Sequence, residues 1–287
     1  MDNLGKSFSE IRNGRNLTQK QVAAGVCSDS QVSAFEKGES KITLANFYGL
    51  IQNAGSTLEE FEYIVNGFNL NSFQRVLTNI TKLFDENDIR GLKKVLSQEE
   101  DKLRKGVIRS ELTCLMIKHV IFEVDHTEPP LSDGDKEKLA NYLVGIDHWG
   151  WYELILYGNT MRAFPATAIH IYSNEAISRS AFYKSIPRNK TLLARILINT
   201  VIALVGYKEI ELAVSFKSHA EKFLEERDVF ERAVFHFVSG AIDFYTNREE
   251  LGKKKMEEAI AIFDIVGSTR IAASYQRNYE GIVGNVE

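Results

Sequence analysis

The sequence predicts an all-α fold in two unequal parts. Three observations carry this. Apolar residues recur at three- and four-residue spacing almost throughout, and no segment alternates long enough for a strand. Helix starts are marked by Ser/Thr-x-x-Gln/Glu boxes: Thr18 with Gln21, Ser28 with Gln31, and Thr57 with Glu60. From Ser72 onward, paired helical segments recur about every 35–45 residues.

Taken in order, a first helix fits Leu4 to Arg15, with Leu4, Phe8 and Ile11 on one face. Thr18 opens a second helix with Val22 and Ala23 apolar, and Gly25 closes it. Ser28 opens a third that buries Val32 and Phe35 and ends at Gly38. A fourth runs from Leu44 to about Asn53, closed by Gly55. Thr57 caps a fifth carrying Leu58, Phe61, Ile64 and Val65. Residues 67–71 (GFNLN) read as a linker, which makes 1–66 the head and 72–287 the helical repeat. In the tail the predicted helices are Ser72–Phe84, Ile89–Arg104, Ile108–Val124, Asp135–Val144, His148–Ala163 and Thr167–Lys184. They continue with Asn189–Val205, Glu209–Glu226, Val229–Thr246, Glu249–Val266 and Arg270–Val283. Pro129-Pro130, Pro165, Pro187 and Gly267 mark breaks. Pairs at this spacing are expected to coil into a right-handed, tetratricopeptide-like superhelix with a concave groove, although no strict repeat consensus is present.

Composition narrows the function classes. With 44% hydrophobic and 26% charged residues, the chain has the make-up of a soluble globular protein. A net charge of −4 argues against bulk electrostatic binding of nucleic acid but leaves room for a local face. The N-terminus has no apolar core segment and so does not read as a signal peptide. The most apolar stretch, Leu192 to Gly206, carries Arg195, Asn199 and Thr200 and reads as too short and too polar to span a bilayer. The expected location is cytoplasmic, with no membrane partner. Cys27 and Cys114 form no CxxC, and the six histidines make no ligand pair, so neither a metal nor a cofactor is expected. No phosphate loop, nucleophile elbow or dinucleotide fingerprint occurs, and the sequence offers no support for an enzyme.

The head has the layout of a helix-turn-helix whose second helix enters the major groove of double-stranded DNA. The TQ start, the Gly turn and the SxxQVSxFExG helix coincide at the right spacing. The alternative is a small bundle that uses the same caps for packing alone. In the DNA reading, Ser30, Gln31 and Ser33 face base edges. Arg12, Arg15, Gln19, Lys37 and Lys41 contact phosphates. One carboxamide does not fully serve both cap and base, and Gln31 is assigned to the DNA. Glu36 is assigned a structural role, bonding back to Arg12 or to the start of the second helix. Cys27 sits beside the cap of the recognition helix, where the helix dipole would lower its thiol pKa, making it a candidate redox switch. Its alternative is a small apolar turn residue.

The stretches LTQKQVA and SQVSAFEKGESKIT followed by a long helical tail resemble the Rgg (GadR/MutR) regulators, with a head similar to the Xre/Cro-like helix-turn-helix of phage repressors. The resemblance covers essentially the whole chain, specific in the head and architectural in the tail. It implies a homodimeric transcription regulator of the quorum-sensing kind, with a short hydrophobic signalling peptide on the concave face. Ala34 departs from the Arg that relatives often carry there. In such receptors, asparagines on inner helices clamp the peptide backbone, because a carboxamide both donates and accepts. Asn199, a polar residue inside an apolar helix, is the first candidate and Asn159 the second. Arg195 and Arg162 are candidates to pair with a peptide carboxylate. Trp151, Tyr152 and Phe237 are candidates for apolar wall. Simple core packing is the alternative for each. The helices from Glu249 onward, with Ile260, Phe263 and Ile265, are the expected dimer surface. A repeat domain that binds a folded protein partner is the remaining alternative.

Overall fold

The computed structural model describes residues 4–183 and 185–284, and no strand occurs among them. The chain forms two compact units, one up to Glu86 and one from Asn87. The first contains α1 (Leu4–Gly14), α2 (Gln19–Ala23), α3 (Asp29–Glu36), α4 (Leu44–Asn53), α5 (Leu58–Val65) and α6 (Ser72–Asp85). The expected linker at 67–71 lies inside this unit, between α5 and α6.

The three capping boxes seen in the sequence form as read, and Asn71 with Gln74 adds a fourth at the start of α6. Each satisfies two orphan amides at a helix start, and losing a cap costs ~1 kcal/mol. Between α2 and α3 the chain turns at Gly25, whose φ of +71° suits a residue without Cβ. Phe8, Val22, Val32 and Leu50 are fully buried, and Phe47 lies edge-on to Phe8, Phe35 and Phe61. At Gly5, a Cβ would stand 1.9 Å from the Phe35 carbonyl oxygen, so only glycine lets α1 cross the end of α3 this closely.

The second unit contains α7 (Ile89–Arg104), α8 (Arg109–Val124), α9 (Asp133–Gly145), α10 (Trp151–Thr160) and α11 (Ala166–Arg179). It continues with α12 (Pro187–Gly206), α13 (Ile210–Phe223), α14 (Val229–Tyr245), α15 (Glu249–Ile265) and α16 (Thr269–Gly284). Helices α8, α10, α12 and α14 lie side by side as one layer, with α7, α11, α13 and α15 packed against them.

Several boundaries differ from the sequence reading, and three of them have a legible cause. The helix expected from His148 starts at Trp151, because the Glu153 carboxylate accepts the Gly150 amide at 2.9 Å and caps it there. The one expected over Thr167–Lys184 stops at Arg179, followed by a separate 3-10 turn; Lys184 lies outside the described residues. Pro187, read as a break, is the first residue of α12, where its missing N–H costs nothing.

At the centre of the layer stands α12, and its length corrects the sequence reading of this segment as too short and too polar. The helix is 20 residues long with a mean hydropathy of 1.3, long and apolar enough to cross a membrane. However, 61% of that window is buried inside the unit, as in the core helix of a soluble protein. Its buried Thr200 is satisfied. Ser173 bridges the Tyr157 hydroxyl and Thr200 at 2.7 Å each, and Thr200 also donates to the Ile196 carbonyl. Burial pushes the Tyr157 phenol far above its ordinary range.

Candidate nucleic-acid interface and ligand-binding face

In the head, Arg12 of α1 forks onto Glu36 at the end of α3, with Nε donating to Oε1 at 2.6 Å and Nη2 to Oε2 at 2.8 Å. Its Nη1 donates to the Leu17 carbonyl, and Gln19 Nε2 donates to Glu36 Oε2 at 2.7 Å. Burial pushes the Glu36 carboxyl up, but the hydrogen bonds from Arg12 and Gln19 outweigh it and hold it below the usual carboxylate range. The structural role assigned to Glu36 is therefore found, on both expected partners. The same contacts count against Arg12 and Gln19 as phosphate contacts, because their donors are already bound to Glu36. Arg15 is exposed but donates to Glu60 at 3.1 Å.

The recognition-helix residues fare differently. Ser30 is exposed, with its hydroxyl 2.9 Å from that of Ser28. Gln31 Oε1 accepts the Ser28 amide at 3.1 Å, so the cap engages the oxygen that an adenine contact needs and leaves only the Nε2 donors. That runs against assigning Gln31 wholly to the DNA. Ser33 is half-buried. Lys20, Lys37 and Lys41 are exposed and form no ion pair among the described residues. They are uncommitted positive groups of this face. Cys27 is half-buried against the head core, and burial pushes its thiol up instead of down. That direction runs against the activation expected of a redox switch.

In the second unit, one face of the layer stays open. Along α12, Arg195, Asn199 and Gly206 are exposed and Ile202 half-buried, a single stripe at helical spacing. Asn199 makes no side-chain hydrogen bond among the described residues. Asn159 is exposed on α10 and donates back to the Ile155 carbonyl at 2.8 Å. Arg195 pairs with Glu231 of α14 at 2.6 Å, and Glu231 is almost wholly buried. Arg162 lies 3.4 Å from Glu123 of α8. Trp151 is half-buried with the Arg188 guanidinium 5.0 Å over its ring. Two aromatic candidates are core: Phe237 is 3% exposed and packs on Tyr275, and Tyr152 is buried with its hydroxyl 3.4 Å from the Arg109 carbonyl.

The model of the HTH-type transcriptional regulator Rgg, C-terminal domain, matches residues 92–277, and a helix-turn-helix model matches residues 8–61. The first spans well over half of the chain. The chain belongs to the Rgg family of transcriptional regulators. Among solved structures it is similar to the SHP pheromone receptor Rgg2 of Streptococcus dysgalactiae, with 26% identity, 97% of this chain and 99% of that chain covered, and a TM-score of 0.79. A transcriptional regulator from Listeria monocytogenes EGD-e shares the fold at 22% identity and a TM-score of 0.83, covering 98% and 97% of the two chains. So does Bacillus thuringiensis PlcR, solved with the peptide PapR7 and DNA, at 14% identity and a TM-score of 0.67, covering 97% and 99%.

Within this Rgg chain, sequence reasoning missed two positioning residues. Asn53 of α4 donates to the carbonyls of Val22 and Ala24 at 2.8 and 2.9 Å, fixing the turn before the recognition helix. Arg188 stacks on Trp151 and holds no carboxylate among the described residues. An arginine one residue after a helix-starting proline was the available signal for the second. Nothing in the sequence pairs Asn53 with a turn about thirty residues upstream.

Proposed function

We propose that this regulator reads DNA through α3 as half of a symmetric dimer and senses a short signalling peptide on the open face of α10 and α12. It acts in the cytoplasm, where its DNA is. The observation that carries the peptide reading is Asn199. An exposed carboxamide with no partner among the described residues, set in a largely buried helix, is a group kept free to bond something else. An extended peptide offers matching donors and acceptors. Asn159 and the Trp151–Arg188 pair are the supporting contacts, and Arg188 is the cation free to take a carboxylate. Phe237 and Tyr152 drop out as wall residues. Similarity to a pheromone receptor at 26% identity over nearly the whole length supports the same reading.

The dimer surface is assigned to the end of α15. Phe263, one of its expected members, is 2% exposed between Phe230 and Tyr275 and belongs to the core. Ile265 at 84% and Val266 at 65% exposure are the apolar groups on offer.

Fluorescence anisotropy on DNA from the upstream region, with and without short hydrophobic peptides encoded nearby, tests the whole reading. Asn199→Ala is expected to weaken the peptide response about ten-fold through two lost hydrogen bonds, at unchanged DNA affinity. A full response from Asn199→Ala together with Asn159→Ala refutes the assigned face.

A further inference from the structure

A groove of about 610 Å³ lies in the first unit, between α1, α5 and the segment leading into α6. That volume falls in the range of ligand sites. Its floor is apolar: Ile11, Tyr63, Ile64, Phe68 and Leu70. Three of these remain open to solvent, Phe68 at 61%, Tyr63 at 44% and Leu70 at 40%. The rim carries Glu10, Glu59, Glu60 and Glu62 against a single cation, Arg15, which is already bound to Glu60.

The groove faces away from the recognition helix. On α1, Gly5 and Arg12 turn toward α3, whereas Glu10 and Gly14 sit about half a turn round the helix. Four carboxylates on one rim repel nucleic acid. Both features exclude DNA as the occupant while leaving α3 free to hold it.

We propose that this groove docks a basic amphipathic helix of a protein partner. An apolar floor takes the stripe formed by positions i, i+3, i+4 and i+7, and the glutamate rim takes the lysines or arginines that flank it. The surface gives the head of a transcription regulator a protein contact separate from its DNA face.

The test uses the full-length protein and two fluorescein-labelled synthetic amphipathic helices, one with lysines flanking a leucine stripe and a twin with glutamates in their place. The lysine helix is expected to bind at least ten-fold more tightly than its twin. Glu10→Gln with Glu59→Gln removes two rim charges and is expected to weaken it about five-fold, with operator affinity unchanged. Equal binding of the twins, or no binding of either, overturns the proposal. So does undiminished binding by the double variant, which places the helix elsewhere. Sedimentation of Tyr63→Ser with Phe68→Ser supplies an independent check. Conversion of a dimer to monomer would show that a second copy fills the groove and would overturn the proposal, whereas an unchanged assembly with lost lysine-helix binding supports it.

Discussion

Removing Glu36 should loosen the recognition helix more than any surface change in the head. Glu36→Ala takes the acceptor from three donors, two on Arg12 and one on Gln19, and leaves the guanidinium with the Leu17 carbonyl alone. Breaking a buried pair from one side costs ~3–5 kcal/mol. The Arg12 side chain is 11% exposed and the shortened residue admits water, so the lower end, ~3 kcal/mol, is expected. The two units need not melt together, so the assay is amide hydrogen exchange of α1 to α5 in the full chain, which reads the opening free energy of the head. Arg12→Met closes a double-mutant cycle. A coupling of ~2 kcal/mol or more is expected, and singles that add within ~0.5 kcal/mol refute the argument. The pH dependence gives a second check. The carboxyl is held below its unfolded value, so its stabilisation is complete above the unfolded pKa, ~4.3, and is lost as pH falls through the folded one. Glu36→Gln should flatten that acid branch. Because the pair ties the end of α3 to α1 and to the start of α2, operator affinity should fall as well.

Phe237→Ala should cost ~3–5 kcal/mol in denaturant unfolding as a core truncation. A variant that instead kept its stability and lost only peptide response would restore the wall assignment. Gly252→Ala should part α14 from α15, since its Cβ would stand 2.5 Å from the Phe244 nitrogen and 2.6 Å from the Gly240 oxygen. Backbone atoms cannot step aside, and a drop of ~1–3 kcal/mol or more in unfolding is expected. His119 is buried, and desolvation lowers its pKa despite the nearby Glu123. The unfolded chain then takes up a proton that the folded chain refuses, so stability should fall as pH drops below ~6.5. His119→Gln should remove that part of the slope in a pH series of melts.

The helices were legible because their signals are local. A capping box spans four residues and an apolar stripe spans two turns, so both can be read without the fold. The head therefore emerged nearly element by element, and so did the paired helices of the tail. Boundaries failed where a glycine in the cap position hid the local box, as at Gly150 with Glu153, or where one residue carries opposite meanings, as at Pro187. Phe237 failed for a related reason. An aromatic on a helix fits a groove wall or a core equally well, and only the position of Tyr275 on α16 decides.

The site residues show where such reading stops. The pattern nominates Arg12, Arg15, Arg162 and Arg195 because each is a cation on a candidate face. In the fold each meets a carboxylate distant in sequence: Glu36, Glu60, Glu123 and Glu231. Two of these carboxylates, Glu36 and Glu231, are almost wholly buried, so drawing the arginine away to a ligand would strand a charge out of water. An incoming phosphate or peptide carboxylate must offset that cost before it gains anything. We therefore propose that recognition falls to groups with no such debt: Ser30 and the lysines of the head, and Asn199 with Arg188 on the tail. Charge reversal at Glu231 separates the two cases. If Arg195 is held as a structural partner, Glu231→Lys destabilises the layer without improving the binding of an acidic peptide. If Arg195 is a ligand group restrained by Glu231, the neutral Glu231→Gln frees it and acidic peptides bind more tightly.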